Sequence, residues 1–537
     1  MKACWRTWAA SLTALLLLSP CWALTAQQAQ TLARGEDGDV RVAALHEALQ
    51  AHAQQPDARL QPFLQALADE QLKLDGERLL IQRGDGALLD ALSGLPVALS
   101  PEAALEDVSV NNRLRGELDQ ALAVLQLFTP EAKRRLAAAQ ALQKAPSEAH
   151  LPLIERALAA ESEAPVRAAL DLARAAALLG SAEPVRRLQA ARDLAQAPSA
   201  ATELLLNERL AEEGDARVKT ALQTALQKLR ETLAWGERLG ALFTGLSLGS
   251  ILLLVALGLA ITYGLMGVIN MAHGELMMIG AYATWAVQAG LRHWLPPALF
   301  DYYLLLALPC AFGAAALVGA LMERLVLRWL YGRPLETLLA TWGISLVLMQ
   351  TVRSLFGAQN LGVENPGWMS GSLVPLPALL PNLSLPINRL LITGFAAAVL
   401  AGMTLLIQRT RLGLFVRGVT QNRAMAACMG VNTARIDCYA FALGSGIAGL
   451  AGCALSQIGN VGPDLGQSYI VDAFMVVVLG GVGQLAGSVY AALGLGLANK
   501  ALEGMVGAVL AKIAVLIFII VFIQKRPQGI FAAKGRT

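Results

Sequence analysis

The chain has 537 residues, 55% of them hydrophobic and only 15% charged, and its mean hydropathy is +0.50. That balance excludes an ordinary soluble protein. The net charge of +3 gives no argument for a nucleic-acid partner, and none of the six cysteines sits in a CxxC pair or a Cys/His cluster with metal spacing. Neither a cofactor nor a metal is expected.

Residues 1–26 read MKACWRTWAASLTALLLLSPCWALTA. Lys2 and Arg6 form a positive start, Ala9 to Leu18 a short apolar run, and Cys21-Trp22-Ala23 a small-x-small cleavage option, so the segment reads as a secretory signal. The alternative is an uncleaved anchor, although the run is short for a membrane span. LLSPC has the outline of a lipoprotein box, but Pro20 before Cys21 argues against lipidation.

From 27 to about 235 the chain is rich in Ala, Leu, Arg, Glu and Gln and reads as a soluble α-helical domain. No cysteine lies between Leu24 and Ala241, so this domain has no disulfides. Helix starts recur at Pro130, Pro165, Pro184 and Asp215, each followed by a basic residue and then by apolar residues every three or four positions. Proline is tolerated there because the first-turn N–H has no intrahelical partner. The pattern resembles HEAT-type helical repeats, with irregular spacings of 35, 19 and 31 residues. The domain shows no nucleophile with a base, no metal cluster and no phosphate loop, and it is expected to dock or space rather than to catalyse.

Residues 236–537 hold long apolar runs, with spans expected near 242–262, 268–288, 303–325, 336–355, 390–408, 436–457, 472–482 with 487–499, and 504–523. The run from 472 is interrupted by GGVGQLAG (480–487) and reads as two short helices or a re-entrant pair. The expected fold is therefore all-α: a polytopic transmembrane bundle of about eight or nine spans, one interrupted, behind a soluble helical-repeat-like domain. The loops after 325 and 408 and the C-terminal tail carry twelve basic residues, against Arg292, Arg389 and Lys500 on the opposite side. By the positive-inside rule the 409–435 loop and the C-terminus face the cytoplasm, and the soluble domain faces outward, as the signal also implies.

Two stretches carry candidate functional residues. YGLMGVINMAHGELMMIGAY (263–282) places Asn270, His273 and Glu275 among glycines in an apolar segment. Polar groups there are expensive and face a bundle interior or a water-filled cavity. Gly264, Gly267, Gly274 and Gly280 allow close helix contact or a broken helix with free backbone groups. Lining a solute path, packing between helices and sitting at the interface remain alternative readings. Gln484 within GGVGQLAG is a second path candidate, with tight helix packing as its alternative. The second stretch, FVRGVTQNRAMAACMGV (415–431), reads as a short amphipathic helix offering Arg417, Gln421 and Asn422, with Val416, Val419, Met425 and Ala426 available to pack. It is either a solvated connector or a surface for a cytoplasmic partner that supplies energy. No GxxxxGK[ST] occurs, so ATP-driven work needs another polypeptide.

NMAHGELMMIGAY, TRLGLFVRGVTQNRAMAACMGVNTAR with AFALGSGIAGLAG, VVVLGGVGQLAGSVYAALGLG and FIQKRPQGIF together resemble the branched-chain amino-acid type of ABC-transporter permease over about 240–532. Within that family, Thr337 to Gly371 and the long N-terminal extension are similar to the urea-transporter branch. The resemblance implies a non-enzymatic translocation subunit in the inner membrane. Its partners would be a second permease subunit in a heterodimer, two cytoplasmic ATP-binding subunits, a periplasmic substrate-binding protein and membrane lipid. It also makes 409–435 the ATPase-coupling segment, with Arg417, Gln421, Asn422, Ala424 and Gly430 as its key positions; Asn270, His273, Gly274, Glu275 and Gln484, read from their polar or glycine character in an apolar setting, are the expected substrate path. Urea is the expected substrate. Branched-chain amino acids or short amides are the alternative, and a zwitterion would need charge partners such as Glu275 or Asp472. A passive channel, a secondary transporter and a sensor fit less of the pattern, since none accounts for the basic loop and the ordered motifs together.

Overall fold

The computed structural model describes residues 24–531 except 36, 55–56, 77, 83–86, 98–104, 268, 295, 297–299 and 377–379. The expected signal thus lies outside the described residues up to position 23. Chain contacts define one compact unit ending at Leu233 and a second beginning at Ala234.

The first unit begins with α1 (Ala26–Arg34), α2 (Gly38–Gln54) and α3 (Leu60–Ala68). A four-stranded antiparallel sheet follows, in the order β3-β2-β1-β4: β1 (Leu72–Asp75), β2 (Arg78–Gln82), β3 (Leu88–Asp90) and β4 (Glu106–Asp107). This small sheet is an addition that the helical pattern of the sequence does not reveal. The β1–β2 hairpin closes by pairing Asp75 with Arg78 around Gly76, whose φ of +59° suits glycine. Leu72, Leu74, Leu79 and Leu80 are buried, so these short strands satisfy their backbone while covering the helical core.

Helices α4 (Asn112–Gln126), α5 (Ala132–Lys144), α6 (Leu151–Ala160), α7 (Ala164–Leu178), α8 (Pro184–Leu194) and α9 (Ala200–Glu212) then stack, followed by the start of α10 (Ala216–Met266). The stack has a period that the helix starts alone conceal. Windows 131–170 and 183–222 align without a gap, matching Arg135 with Arg187, Pro146 with Pro198 and Glu161 with Glu213, each 52 positions apart. The shared residues make the same contacts. Arg135 donates through Nε and Nη2 to both Glu161 oxygens at 2.7 and 3.0 Å, and through Nη1 to the carbonyls of Thr129 and Pro130. Arg187 does the same with Glu213 at 2.8 and 2.8 Å and with the carbonyls of Ser181 and Ala182. Each clamp joins one helix of a pair to the end of the next. The irregular one-helix spacing is thereby replaced by a repeat of three helices, α5–α6–α7 followed by α8–α9 and the start of α10.

The second unit contains the rest of α10, then α11 (His273–Trp294), α12 (Tyr303–Leu325), α13 (Pro334–Phe356), α14 (Ile387–Arg409), α15 (Arg411–Gln421), α16 (Arg423–Cys428), α17 (Thr433–Ser456), α18 (Leu465–Gly480), α19 (Leu485–Val506) and α20 (Ala508–Lys525). Among the described residues six helices, α10, α12, α13, α14, α17 and α20, are long and apolar enough to cross a membrane. The span expected at 268–288 starts later, at His273, because Gly267 adopts φ +66° and ends α10 just before a non-helical turn. The interrupted run resolves into α18 and α19, and Gly507 (φ +85°) separates α19 from α20.

Helix α17 is the hub. From Gly444 to Ser456 every residue but Leu450 is buried, and the run is mostly Gly, Ala and Ser. A Cβ at Gly449 would lie 2.4 Å from the Ala311 carbonyl oxygen, and one at Gly452 would lie 1.9 Å from that of Met277. Small residues let backbones touch, which is how helices associate where lipid provides no hydrophobic drive between them.

Two outcomes follow for the first unit. Arg187→Ala removes the bidentate partner of the Glu213 carboxylate, 1% exposed, leaving it only Arg209 at 3.6 Å and the Asp215 N–H, and should cost about 3 kcal/mol, whereas the apolar pair Arg187→Met with Glu213→Leu should cost far less. Resistance of the full-length protein to proteolysis in increasing denaturant, read from cleavage between 24 and 233, compares them. Separately, His150 is buried with neither ring nitrogen bonded among the described residues, and burial, then the neighbouring His46, holds its pKa down at about 4. The unfolded chain binds this proton first, so the unit keeps its full stability above about pH 6.5 and loses some as pH falls toward 4. His150→Phe should flatten that part of the profile in the same assay.

Candidate functional site

Asn270, His273 and Glu275 form a buried polar node at the start of α11, being 1%, 0% and 1% exposed. Asn270 lies in the turn between α10 and α11, where its Oδ1 accepts from the Ala272 N–H at 3.1 Å and its carbonyl from the His273 N–H at 3.3 Å. It therefore caps the helix, and its Nδ2 has no partner among the described residues. Thr341 on α13 braces the same turn, accepting from the Met271 N–H at 3.2 Å. His273 reaches the Val255 carbonyl of α10 at 3.1 Å; a carbonyl only accepts, so Nε2 carries the hydrogen and Nδ1 is a free acceptor. Gly258 makes room for the imidazole, since a Cβ there would lie 2.9 Å from the ring. Glu275 accepts from Ser345 of α13 at 3.0 Å through Oε1, while Oε2 has no partner among the described residues.

The node thus ties α10, α11 and α13 together and, among the described residues, leaves one donor and two acceptors free in the interior. Each such group costs about 1–3 kcal/mol, which tight packing alone does not require. Gly274 serves another purpose: a Cβ there would lie 2.5 Å from the Gly466 carbonyl oxygen, so it brings α11 against α18. Gln484 is half-buried just before α19, in a turn where Gly480 and Gly487 meet backbone to backbone. The chain's last described residues close over this turn, as Ile530 donates to the Leu479 carbonyl at 2.8 Å. GGVGQLAG is accordingly a packed corner between two helices.

A cavity of about 490 Å³ lies beyond the far end of α17; of its residues only Asp472 was singled out from the sequence, as a charge partner for a zwitterion. Its polar walls come from Asn360, Asn460, Asp464, Tyr469, Asp472, Asn499 and Lys512. Lys512 Nζ of α20 stands 3.6 Å from Asp472 Oδ2 of α18, and Arg353 of α13 pairs with Asp464 at 3.0 Å. A bridge between Leu361 and Val461, with two bonds of 2.8 Å, holds the two loops at its edge together. The signal for this cavity was present in Asp472 and Lys512, charges inside apolar runs, but they lie in different spans and only the fold brings them together.

The 409–435 segment sits at the opposite end of α17. It forms two helices rather than the single one expected, because Asn422 leaves the helical conformation and its side chain caps α16 by accepting from Met425 N–H at 2.9 Å. Gly430, at φ +83°, ends α16. Val416, Val419 and Ala426 pack inward with Ile436 as expected, but Met425 is 60% exposed, along with Leu414 and Met429. Arg417, Gln421 and Ala424 are exposed as well. Arg423 does the anchoring: it pairs with Asp437 of α17, fully buried, and its guanidinium stacks 5.0 Å over the Tyr331 ring. Tyr331 in turn donates to Glu323 of α12 at 2.7 Å. Glu323 is therefore buried in a network and is not the simple interface partner of Arg324 that adjacency suggests.

Residues 241–524 match the family described as branched-chain amino acid transport system / permease component. The chain is 29% identical over 297 residues to the high-affinity branched-chain amino acid transport system permease protein LivH of Salmonella typhimurium, covering 54% of this chain and 94% of that one. It is 28% identical over 291 residues, with the same coverage, to the corresponding protein BraD of Pseudomonas aeruginosa. A LivH described as probable, from Methanocaldococcus jannaschii, is 25% identical over 296 residues, 52% of this chain and 88% of its own. No solved structure gives a significant match. The chain belongs to the branched-chain amino acid permease family of ABC transporters.

The Arg423 network gives a direct test. Arg423→Ala strands Asp437, whose second oxygen already lacks a partner. Because the arginine is partly exposed, the loss should be about 1–3 kcal/mol. Thermal melting of the purified protein in detergent should show this, with Asp437→Asn added to Arg423→Ala recovering most of it.

Proposed function

We propose that this family member is the translocation subunit of an ATP-driven importer that carries urea, or a related small amide, from the periplasm to the cytoplasm. The observation that carries the reading is where Thr337 to Gly371 falls. This is the stretch similar to the urea branch, and it supplies Asn360 to the cavity, Arg353 as the partner of the cavity residue Asp464, and Ser345 and Thr341 to the buried node. A neutral solute with donors and acceptors suits three asparagines and free amide and imidazole atoms. The basic-residue asymmetry supports an orientation with the cavity facing the periplasm and 409–435 facing the cytoplasm.

In this reading the cavity receives urea from a periplasmic substrate-binding protein, and Asn270, His273 and Glu275 offer the next hydrogen-bonding groups inward. One of the two ATP-binding subunits docks on α15 and α16, taking up the exposed Leu414, Phe415, Met425 and Met429 with Arg417, Gln421 and Ala424. Asn422 and Gly430 shape the segment. Arg423 carries its movement to α17 and α12. The lipid-facing or partner-facing residues of α13, α14 and α20 leave room for a second permease subunit. A second reading has one specific support: Leu455 and Ile458 line the cavity beside the Asp472–Lys512 pair, an arrangement that also fits the zwitterion and side chain of a branched-chain amino acid.

Uptake of labelled urea at micromolar concentration separates these readings, in cells lacking the gene and in the same cells with the gene restored. Uptake should need both the gene and ATP, and excess leucine or valine should leave it unchanged. Asn360→Leu should raise KM about 2–10-fold, the loss of one hydrogen bond. Gene-dependent uptake of leucine in place of urea would select the second reading, and uptake surviving ATP depletion would point to a channel.

A further inference from the structure

The first unit lies outside the family match, which begins at residue 241, and its repeat supplies an internal control. Between α8 and the first turns of α10 lies a cleft of about 510 Å³. Its floor is apolar, from Leu188, Ala221 and Ala225, and its rim carries Arg192, Arg217 and Lys228. No carboxylate lines it, and none of the three cations forms an ion pair among the described residues.

The preceding repeat shows what the scaffold needs here. Shifting by 52 positions places Gln140, Pro165 and Ala176 where Arg192, Arg217 and Lys228 stand, while Leu188, Ala221 and Ala225 become Leu136, Ala169 and Ala173. The floor is kept and the charges are not. Helix formation does not call for them either. Arg217 sits in the first turn of α10, where the helix dipole disfavours a cation and where the earlier repeat has the well-suited Pro165. Three unpaired cations over an apolar floor, absent from the sister repeat, point to something outside the fold.

We infer that the α8–α10 cleft is a docking site for an acidic segment of a protein partner, one presenting carboxylates to Arg192, Arg217 and Lys228 and a small apolar side chain to the floor. Its recessed shape favours a polypeptide over a lipid surface, which would meet a convex face. The inference is independent of the transported solute.

The test uses the full-length protein in detergent and a short labelled synthetic peptide in which Glu and Leu recur with helical spacing. Fluorescence anisotropy should show binding that weakens as salt rises. The triple variant Arg192→Glu, Arg217→Glu, Lys228→Glu should bind at least tenfold more weakly. The control triple Lys133→Glu, Arg134→Glu, Arg167→Glu makes the same change in net charge on the earlier repeat and should stay within twofold of the native chain. Matching melting curves for both variants establish that neither has unfolded. No binding by the native chain, or equal weakening by both variants, overturns the proposal. Displacement of the peptide by phosphatidylglycerol vesicles overturns it in favour of a membrane contact.

Discussion

The membrane unit depends on one contact, the meeting of bare backbones along α17. Gly449 against α12 and Gly452 against α11 leave no space for even a methyl group, and Gly444 lies equally close to Gly258 of α10. These approaches fix three helices around a fourth at distances that larger residues would forbid. The position of the polar node follows from them. His273 reaches the Val255 carbonyl only because Gly258 lets α11 and α10 come that near. In lipid, close packing of this kind replaces the water-driven collapse that organises a soluble core.

The arginine–glutamate clamps of the first unit and the polar node of the second bury polar groups in opposite ways. In the first, Arg135 and Arg187 each spend their donors on a carboxylate and on two carbonyls, and Glu161 accepts also from the N–H groups of Ser162 and Glu163. Arginine pairing and these backbone bonds hold the Glu161 carboxyl down at about 2 despite its burial. The result is a closed network suited to holding shape. In the second unit the side chains of Asn270, His273 and Glu275 each make one anchoring bond and, among the described residues, keep one polar atom free. An arrangement satisfied in part is costly as architecture but appropriate where a solute or water exchanges places with protein groups.

Much of this organisation was legible in the residues. Apolar runs marked the membrane helices, glycine runs marked the close contacts, and the cluster Asn270, His273 and Glu275 stood out against its apolar setting. What escaped was whatever depended on partners distant in the chain. Asp472 and Lys512 are separate oddities until α18 and α20 lie side by side. The β1–β2 hairpin was hidden because its strands are only four and five residues long, too short for alternation to stand out from a helical background. Asn422 looked like a polar contact on a helix, whereas its side chain serves as a cap that divides the helix. The 52-residue period was obscured because proline marks three of the helix starts, while the arginine and glutamate that define the repeat lie 26 positions apart.

That period also makes the length of the first unit modular. Each clamp uses only an arginine, the glutamate 26 residues later and the two carbonyls five and six residues earlier. Excising 131–182 would join Pro130 to Glu183 and set Arg187 at the same offsets from the carbonyls of Thr129 and Pro130 that Arg135 now occupies. Duplication of the same segment would add a third clamp in register. The unit can therefore lengthen or shorten by whole repeats without re-inventing a junction, so its reach is a quantity that evolution can adjust in discrete steps.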